Sequence, residues 1–245
     1  MRGVILAGGM GTRLLPATLI TNKHLLPVYK KLMIEYPLQT LLDLGIKDII
    51  IVSGGNNIGD FASILGSGKK YNARFTYVVQ DEPLGIAHAV SLTTDFLNNE
   101  PFVVILGDNY FEDNISNLVD LVDVKDFNSG SMIFLKEVPD PQRFGCPGFI
   151  NGKISVIDEK PKNPKSNYAV TGLYFYDNTF KDKFKILKPS GRGEYELTDI
   201  NNLYLKEGKL NHKILKGLWS DMGLHDTLLR VANFAKEKDN NSSNP

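Results

Sequence analysis

Near its N-terminus the sequence reads Val4-Ile5-Leu6-Ala7-Gly8-Gly9-Met10-Gly11-Thr12-Arg13-Leu14. Its leading apolar residues predict a short buried strand that runs directly into a loop with three glycines. Glycine allows the main chain to adopt a positive φ and to approach a ligand closely, and arginine offers a planar fork for phosphate oxygens. Because the backbone N–H groups of such a loop can form an anion-binding concavity, the stretch predicts a polyphosphate site.

Two familiar phosphate loops do not fit this stretch. A P-loop ends in Gly-Lys-Ser/Thr, but Gly11 is followed by Thr12 and Arg13; the dinucleotide fingerprint needs a third glycine where Leu14 stands. Neither a P-loop ATPase nor an NAD enzyme is therefore favoured. The alternative interpretation is an ordinary glycine turn between a strand and a helix.

The composition excludes several classes of protein. The 245 residues contain 28 basic and 28 acidic side chains, so the net charge of zero argues against a general nucleic-acid or membrane-surface binder. Cys146 is the single cysteine, which excludes an intramolecular disulfide. The sequence offers neither a signal peptide nor an apolar run long enough to span a membrane, and it predicts a soluble, cytoplasmic protein.

Strand and helix signals alternate along the first half of the chain. Near-continuous apolar strands with amphipathic helices between them predict an α/β fold, a Rossmann-like, mostly parallel sheet flanked by helices. The predicted strands are 4–6, 49–52, 75–79 and 102–106, and the predicted helices are 36–44, 61–65 and 86–97. The loops 8–13, 53–57, 80–85 and 107–109 should share the rim at the carboxyl ends of these strands.

After residue 126 the pattern changes to shorter strands, which predict a β-rich lobe. Strands are expected at 131–137, 148–150, 154–158, 168–176 and 210–216, and helices at 198–206 and 227–236. Asn151-Gly152 between apolar segments is a strong hairpin signal. We therefore expect a single domain over residues 1–238, with halves 1–126 and 127–238, and a disordered tail over 239–245.

Two aspartates are candidate Mg²⁺ ligands. Asp108 ends a buried strand at the predicted rim, and Asp221 lies between a strand and a helix far along the chain. Mg²⁺ is typically held by one or two carboxylates, with water and substrate phosphates completing its shell. Either aspartate could instead cap a helix or turn. Likewise Lys23, Lys160 and Arg192 could be solvated surface cations.

The motifs together resemble a known family. Residues 6–14 with Pro16 and Thr18, and residues 23–29, 107–109, 159–161, 164–177 and 192–194, resemble the signature of the sugar-phosphate nucleotidylyltransferases. The resemblance covers nearly the whole chain and keeps the order of the motifs. It is closest to members that transfer a thymidylyl group, in a short form that lacks a C-terminal helical extension.

The resemblance implies roles for individual residues. The nucleotide would be bound by Leu6, Gly8, Gly9, Gly11, Thr12, Arg13, Gln80, Pro83, Gly85 and Asp108. The sugar phosphate would be bound by Asn109 and, in the sugar-binding half 127–238, by Gly145, Glu159, Lys160, Thr171, Tyr174 and Arg192. Asp108 and Asp221 would hold the metal ion, and Arg13, Lys23, Lys160 and Asp108 would carry the catalysis.

The implied reaction is Mg²⁺-dependent transfer of a thymidylyl group from dTTP to α-D-glucose 1-phosphate. The sugar phosphate attacks the α-phosphorus in line, which yields dTDP-glucose and pyrophosphate for deoxysugar and cell-surface glycan synthesis. Self-association is also expected by resemblance. Leu84, His24 and Cys146-Pro147-Gly148 depart from the family pattern. UTP or another sugar 1-phosphate therefore stays an alternative, as does a catalytically silent nucleotide-sugar sensor.

Overall fold

The computed structural model describes residues 1–119, 127 and 129–242. In chain order the strands are β1 (Arg2–Leu6), β2 (Pro27–Val28), β3 (Lys31–Leu32), β4 (Asp48–Gly54), β5 (Arg74–Gln80), β6 (Phe102–Leu106), β7 (Asn109–Phe111), β8 (Ser131–Glu137), β9 (Gly145–Ile150), β10 (Lys153–Glu159), β11 (Tyr168–Tyr176), β12 (Leu210–Ile214) and β13 (Trp219–Asp221). The helices are α1 (Glu35–Asp43), α2 (Ile58–Leu65), α3 (Ile86–Ser91), α4 (Ile115–Leu118), α5 (Phe180–Lys185), α6 (Leu197–Lys206) and α7 (His225–Ser242).

A seven-stranded sheet with the order β12-β8-β11-β6-β1-β4-β5 forms the centre of the fold. Strands β1, β4, β5 and β6 run parallel, as the alternating pattern predicts. β11 is antiparallel to both β6 and β8, and β12 is parallel to β8. The predicted mostly parallel α/β sheet is confirmed.

Both faces of the sheet are buried. Along β1, Ile5 packs on one side with α1 and α2, whereas Val4 and Leu6 pack on the other side with α3, α5 and α6. Each parallel strand is therefore apolar at nearly every position, because successive side chains enter opposite layers of the core. This double burial explains why the strands read as continuous apolar runs.

The second half of the chain both extends the central sheet and adds a small one. β8, β11 and β12 join the central sheet, whereas β9 and β10 pair only with each other among the described strands. Their turn, Asn151-Gly152, has φ of 50° and 75°, which is the positive-φ geometry that the hairpin signal predicts. The proposed boundary at residue 126 lies outside the described residues.

Several element ends differ by a few residues from the sequence prediction, and the differences are largest at the ends of α3 and α7. α3 ends at Ser91 and is followed by a 3₁₀ turn at Thr94–Phe96, because the hydroxyls of Thr93 and Thr94 donate back to backbone carbonyls and compete with helix continuation. α7 continues to Ser242 where a disordered tail is expected, and Asp239 accepts a hydrogen bond from Lys30. Residues 243–245 lie outside the described residues.

No helix in the described part of the chain combines the length and the apolar character that a bilayer crossing requires.

Candidate active site

The glycine loop follows β1 and is held by the segment that comes after it. Gly11 has φ of +67°, and a Cβ atom there would lie 2.8 Å from the Cβ of Lys23 and 2.9 Å from the Cγ2 of Thr18. The Thr18 hydroxyl donates to the Gly11 carbonyl over 2.9 Å. Only glycine fits this combination of positive φ and close approach.

The loop after β6 lies directly beside this glycine loop. The N–H of Gly107 donates to the carbonyl of Leu6 over 2.9 Å, which carries the parallel β1–β6 pairing one residue beyond the sheet. A Cβ atom at Gly107 would approach the ring of His24 to 2.8 Å. The two rim loops are therefore packed without space for a side chain between them, and Asp108 emerges next to the glycine loop.

Asp108 is paired with a lysine. Lys23 Nζ lies 2.5 Å from Asp108 Oδ2, and the two side chains are only 13% and 14% exposed. Burial alone would raise the pKa of Asp108, but the Lys23 ammonium and a hydrogen bond from Asn109 hold it below its usual range. The carboxylate is thus ionised and its charge is balanced within the chain.

Asn109 connects three strands at the back of the site. Its Nδ2 donates to Asp108 Oδ1 over 2.9 Å, and its Oδ1 accepts from Trp219 Nε1 at 2.7 Å and from the N–H of Gly172 at 3.0 Å. The side chain is buried, so each of these bonds is made away from water. Asn109 therefore orients Asp108 and ties β7 to β11 and β13.

We expect Gly172→Ala to destabilise the protein by about 1–3 kcal/mol, the usual cost of forcing an atom into a packed interior. A Cβ atom at this position would lie 2.6 Å from Asn109 Oδ1 and 2.7 Å from Leu106 Cγ. Gly191→Ala is the matched control, because a Cβ atom there meets nothing within 4 Å. Urea unfolding of both variants measures the difference, and equal midpoints would contradict the close packing.

The second aspartate reaches the same place from the other end of the chain. β13 pairs with β7 so that Asp221 stands opposite Asn109, and the N–H of Met222 donates to the Asp108 carbonyl over 2.7 Å. Burial raises the pKa of Asp221, the neighbouring Arg143 opposes this, and the charge of Asp108 adds to the increase. Both aspartates line one cavity of about 430 Å³.

The cavity extends from the aspartates to the β9–β10 ribbon and to β11. Several residues that the resemblance assigns to the sugar phosphate line it, namely Asn109, Gly145, Glu159, Lys160 and Tyr174. Glu159 accepts a hydrogen bond from Thr198 over 2.5 Å and lies 3.7 Å from the ammonium of Lys160. The cavity therefore presents carboxylates, ammonium and guanidinium groups from both halves of the chain.

Two of the residues assigned to the sugar phosphate are placed elsewhere. Thr171 is fully buried and does not line the cavity, although its neighbours Val170 and Gly172 do. Arg192 also lies outside the lining, and its guanidinium pairs with Glu196 at 2.7 Å and Glu159 at 3.3 Å. In this structure neither side chain lines this cavity.

The predicted base-binding loop lies on the other side of the glycine loop. Gln80 Nε2 donates to the Gly85 carbonyl over 3.2 Å, and its Oε1 lies 3.2 Å from where a Cβ of Gly8 would be. Gly85 has φ of +101° and packs on the backbone of Tyr195, whose N–H donates to the Leu84 carbonyl. Gln80 is thus held between the two loops, while Pro83 is exposed.

Sequence reasoning missed residues that complete the cavity. Arg143 lies in its wall and donates to Asp221 Oδ2 over 2.8 Å, and Trp219, Glu196 and Thr198 also line it. Arg143 follows Asp140-Pro141 in what reads as an ordinary turn, and no local pattern indicates that its side chain reaches a strand 78 residues away. Only the fold reveals this contact.

His24 gives the site an acid-sensitive element. Burial and the adjacent Lys23 ammonium lower the pKa of His24 to about 3, from 6.5. Between these values the unfolded chain binds more protons than the folded chain, so stability falls as the pH falls below 6.5. Each pH unit costs up to about 1.4 kcal/mol.

We therefore expect His24→Gln to flatten the decrease in unfolding free energy between pH 6.5 and 4.5. Denaturant unfolding at a series of pH values measures it. His225→Gln, at an exposed position, is the control and should keep the wild-type slope. An unchanged slope in His24→Gln would show that the buried ring is not the source.

The fold and the loops at this rim together indicate a class of protein. A glycine loop that can receive phosphate oxygens, and carboxylates beside a cavity with basic side chains, are typical of an α/β enzyme that acts on phosphorylated substrates. Residues 2–238 match the model of the family described as "Nucleotidyl transferase". The chain belongs to the nucleotidyl transferase family and is a nucleotidyltransferase.

The names of similar proteins indicate which members of the family the chain resembles. The chain is 42% identical to a Neisseria meningitidis glucose-1-phosphate thymidylyltransferase, across 98% of this chain and 84% of the relative. It is 44% identical to the Xanthomonas campestris enzyme of the same name, across 95% and 80%. A Bacillus anthracis crystal structure assigned to that enzyme, in complex with sucrose, is 48% identical with a TM-score of 0.91, covering 97% and 96% of the two chains.

Proposed function

We propose that the protein transfers a thymidylyl group from dTTP to α-D-glucose 1-phosphate, which yields dTDP-glucose and pyrophosphate. One observation carries the proposal: Asp108 and Asp221, from distant parts of the chain, line the same cavity as most of the residues assigned to the sugar phosphate, next to the glycine loop. The names of the relatives support the choice of substrates. The product would be a precursor for deoxysugars and cell-surface glycans.

The two aspartates fit a Mg²⁺ ion. Asp221 in β13 and Asp108, the residue immediately before the partner strand β7, both supply carboxylate oxygens. The cavity that they line has room for the water and phosphate oxygens that Mg²⁺ requires. When bound there, Mg²⁺ would neutralise phosphate charge and orient the phosphate groups. Asp108 and Asp221 would hold it, with water and substrate phosphate oxygens as its other ligands. The described residues contain no cluster of three or more His, Cys, Asp or Glu side chains that could hold a metal ion by themselves.

The reaction depends on aligning the two substrates and does not require a general base. A phosphate oxygen of the sugar 1-phosphate forms a bond to the α-phosphorus of the triphosphate, the bond to the bridging oxygen breaks, and pyrophosphate leaves with that electron pair. A phosphate monoester is already an anionic nucleophile at neutral pH. The protein's contribution is therefore proximity and charge stabilisation by fixed groups.

Basic side chains surround the path of this reaction. Arg13 is exposed at the end of the glycine loop and has no ion-pair partner among the described residues, so it is available to the triphosphate. Lys23 holds Asp108 and can turn to phosphate oxygens when a cation takes that carboxylate. Lys160 lines the opposite end of the cavity, where the sugar phosphate would bind.

Gln80 is the best-placed side chain to recognise the base. Its amide can donate and accept hydrogen bonds, which suits a pyrimidine edge, and it lies between the glycine loop and Gly85. Thymine and uracil differ by one methyl group, worth only about 1 kcal/mol on burial. The preference for dTTP over UTP is thus expected to be a matter of degree.

The experiment that tests the proposal is a panel of dTTP, UTP, ATP and GTP against glucose, galactose and mannose 1-phosphates, scored by pyrophosphate release with and without Mg²⁺. We expect the highest kcat/KM for dTTP with glucose 1-phosphate, and no release without a divalent cation. A higher value for another pair would replace the substrates. Nucleotide binding without turnover on any pair would indicate a nucleotide-sugar sensor instead.

A further inference from the structure

The guanidinium of Arg143 joins two carboxylates in the wall of the site cavity. Its Nη1 donates to Asp140 Oδ2 and its Nη2 to Asp221 Oδ2, both over 2.8 Å. The Arg143 side chain is 23% exposed and that of Asp221 14%. Each of the two aspartates in the site is therefore paired with a cation from the chain, Asp108 with Lys23 and Asp221 with Arg143.

The two contacts of Arg143 differ in kind. Asp140 lies three residues earlier, and its carbonyl also accepts the N–H of Arg143 over 3.1 Å, so this contact belongs to one local turn. The guanidinium carbon lies 4.9 Å from the ring centroid of Phe144, which packs edge-on against Trp219 at 5.1 Å. The contact to Asp221 can thus break while Asp140 and Phe144 still hold the guanidinium beside the cavity.

A divalent cation and Arg143 compete for the same carboxylate. Mg²⁺ would use an oxygen of Asp221, and two cations at one carboxylate group repel each other. If Mg²⁺ takes Asp221, the Nη2 donor of Arg143 loses its partner while remaining in the wall of the cavity. A guanidinium N–H released in this way suits a phosphate oxygen, to which arginine makes a charge-assisted hydrogen bond.

A sugar phosphate bound in this cavity would require basic side chains around its phosphate group. Of the basic residues that the resemblance assigns to the sugar phosphate, only Lys160 lines it, since Arg192 is engaged with Glu159 and Glu196. Arg143 also lines the cavity, and breaking its contact with Asp221 would free its Nη2 donor while Asp140 keeps Nη1.

We propose that Arg143 has two alternative partners: it holds Asp221 while no divalent cation is bound, and it turns to the phosphate of the sugar 1-phosphate when a divalent cation takes Asp221. The second half of this inference rests on the proposed function, whereas the first half concerns the substrate-free protein alone. Metal binding and sugar-phosphate binding would then be coupled through one side chain.

The first test is the Mg²⁺ affinity of the substrate-free protein. We expect Arg143→Gln to bind Mg²⁺ about tenfold more tightly than the wild type, because one charge-assisted hydrogen bond no longer competes for Asp221. Calorimetry measures the affinity, and the fluorescence of Trp219, the single tryptophan, reports whether binding occurs at this site. Arg230→Gln makes the same charge change at an exposed position of α7 and should leave the affinity unchanged.

The second test compares the KM for glucose 1-phosphate with the KM for dTTP in Arg143→Gln. In Arg143→Gln the KM for glucose 1-phosphate should rise about tenfold while the KM for dTTP stays near that of the wild type, since one phosphate contact is lost. Arg143→Lys keeps the charge without the fork and should fall between the two proteins. Thermal unfolding of each variant establishes that the fold is retained.

A merely structural role predicts the opposite pattern. If Arg143 only supports Asp221, Arg143→Gln would bind Mg²⁺ more weakly or equally, and either result overturns the inference. An unchanged KM for glucose 1-phosphate overturns its second half. Failure of the proposed function would be seen separately, as wild-type protein that releases no pyrophosphate with any pair; the Mg²⁺ titration would then still decide the role of Arg143 at Asp221.

Discussion

Asp108→Asn is expected to lower kcat by at least about a hundredfold, which corresponds to roughly 3 kcal/mol of transition-state stabilisation. The carboxylate is buried, ionised and in contact with Lys23, and it lies beside the glycine loop. An amide at this position keeps the shape of the side chain but can neither balance the Lys23 ammonium nor serve as an anionic ligand for Mg²⁺. Steady-state pyrophosphate release measures the loss.

Controls separate this loss from unfolding. Asp182→Asn makes the same chemical change at a carboxylate that is 75% exposed and pairs with Lys185, so its kcat should equal that of the wild type. Asp108→Asn should also bind Mg²⁺ more weakly in calorimetry and unfold cooperatively. If it turned over at a near-normal rate, Asp108 would have no part in the reaction.

Arg13→Ala is expected to have an effect of similar size, with kcat/KM for dTTP reduced by about a hundredfold or more. Arg13 ends the glycine loop and makes no ion pair among the described residues, and its charge acts at longer range on Asp221, where it opposes the raised pKa of that carboxyl. In the proposed reaction it would stabilise the charge that develops on the leaving pyrophosphate.

Arg13→Lys distinguishes charge from geometry. A lysine retains the positive charge but loses the planar fork, so we expect it to recover part of the lost activity only. Arg230→Ala, on the exposed face of α7, is the control for loss of one arginine. Equal activity of Arg13→Ala and Arg230→Ala would remove Arg13 from the nucleotide site.

Much of the fold follows from local patterns. The run 102–106 is apolar throughout and forms β6 with those bounds, because a strand buried on both faces needs an apolar side chain at every position. Asn151-Gly152 forms its hairpin turn because these residues tolerate positive φ. By contrast, nothing in the pattern of β8 or β11 indicates that they join the sheet of the first half, since alternation identifies a strand but not its neighbours.

Part of the candidate site also follows from local patterns. The glycine loop and Asp108 lie together at the rim because parallel strands end on the same side of a sheet. The resemblance brought Asp221 to the same site, which strand pairing supports. No sequence pattern indicated that Arg143 lines the site. The ion pair of Arg192 with Glu196 was likewise found only in the structure.

Features that depend on a single strand or turn could be predicted from the order of residues alone. These are the apolar strands, the loop that needs glycine, and the acidic residue that follows β6. Which charges face one another was decided by tertiary structure alone. Lys23 and Asp108 are 85 residues apart, and Arg143 and Asp221 are 78 apart. These ion pairs depend on how the strands are ordered in the sheets and on which side chains are buried next to each other. Neither can be predicted from a short stretch of sequence.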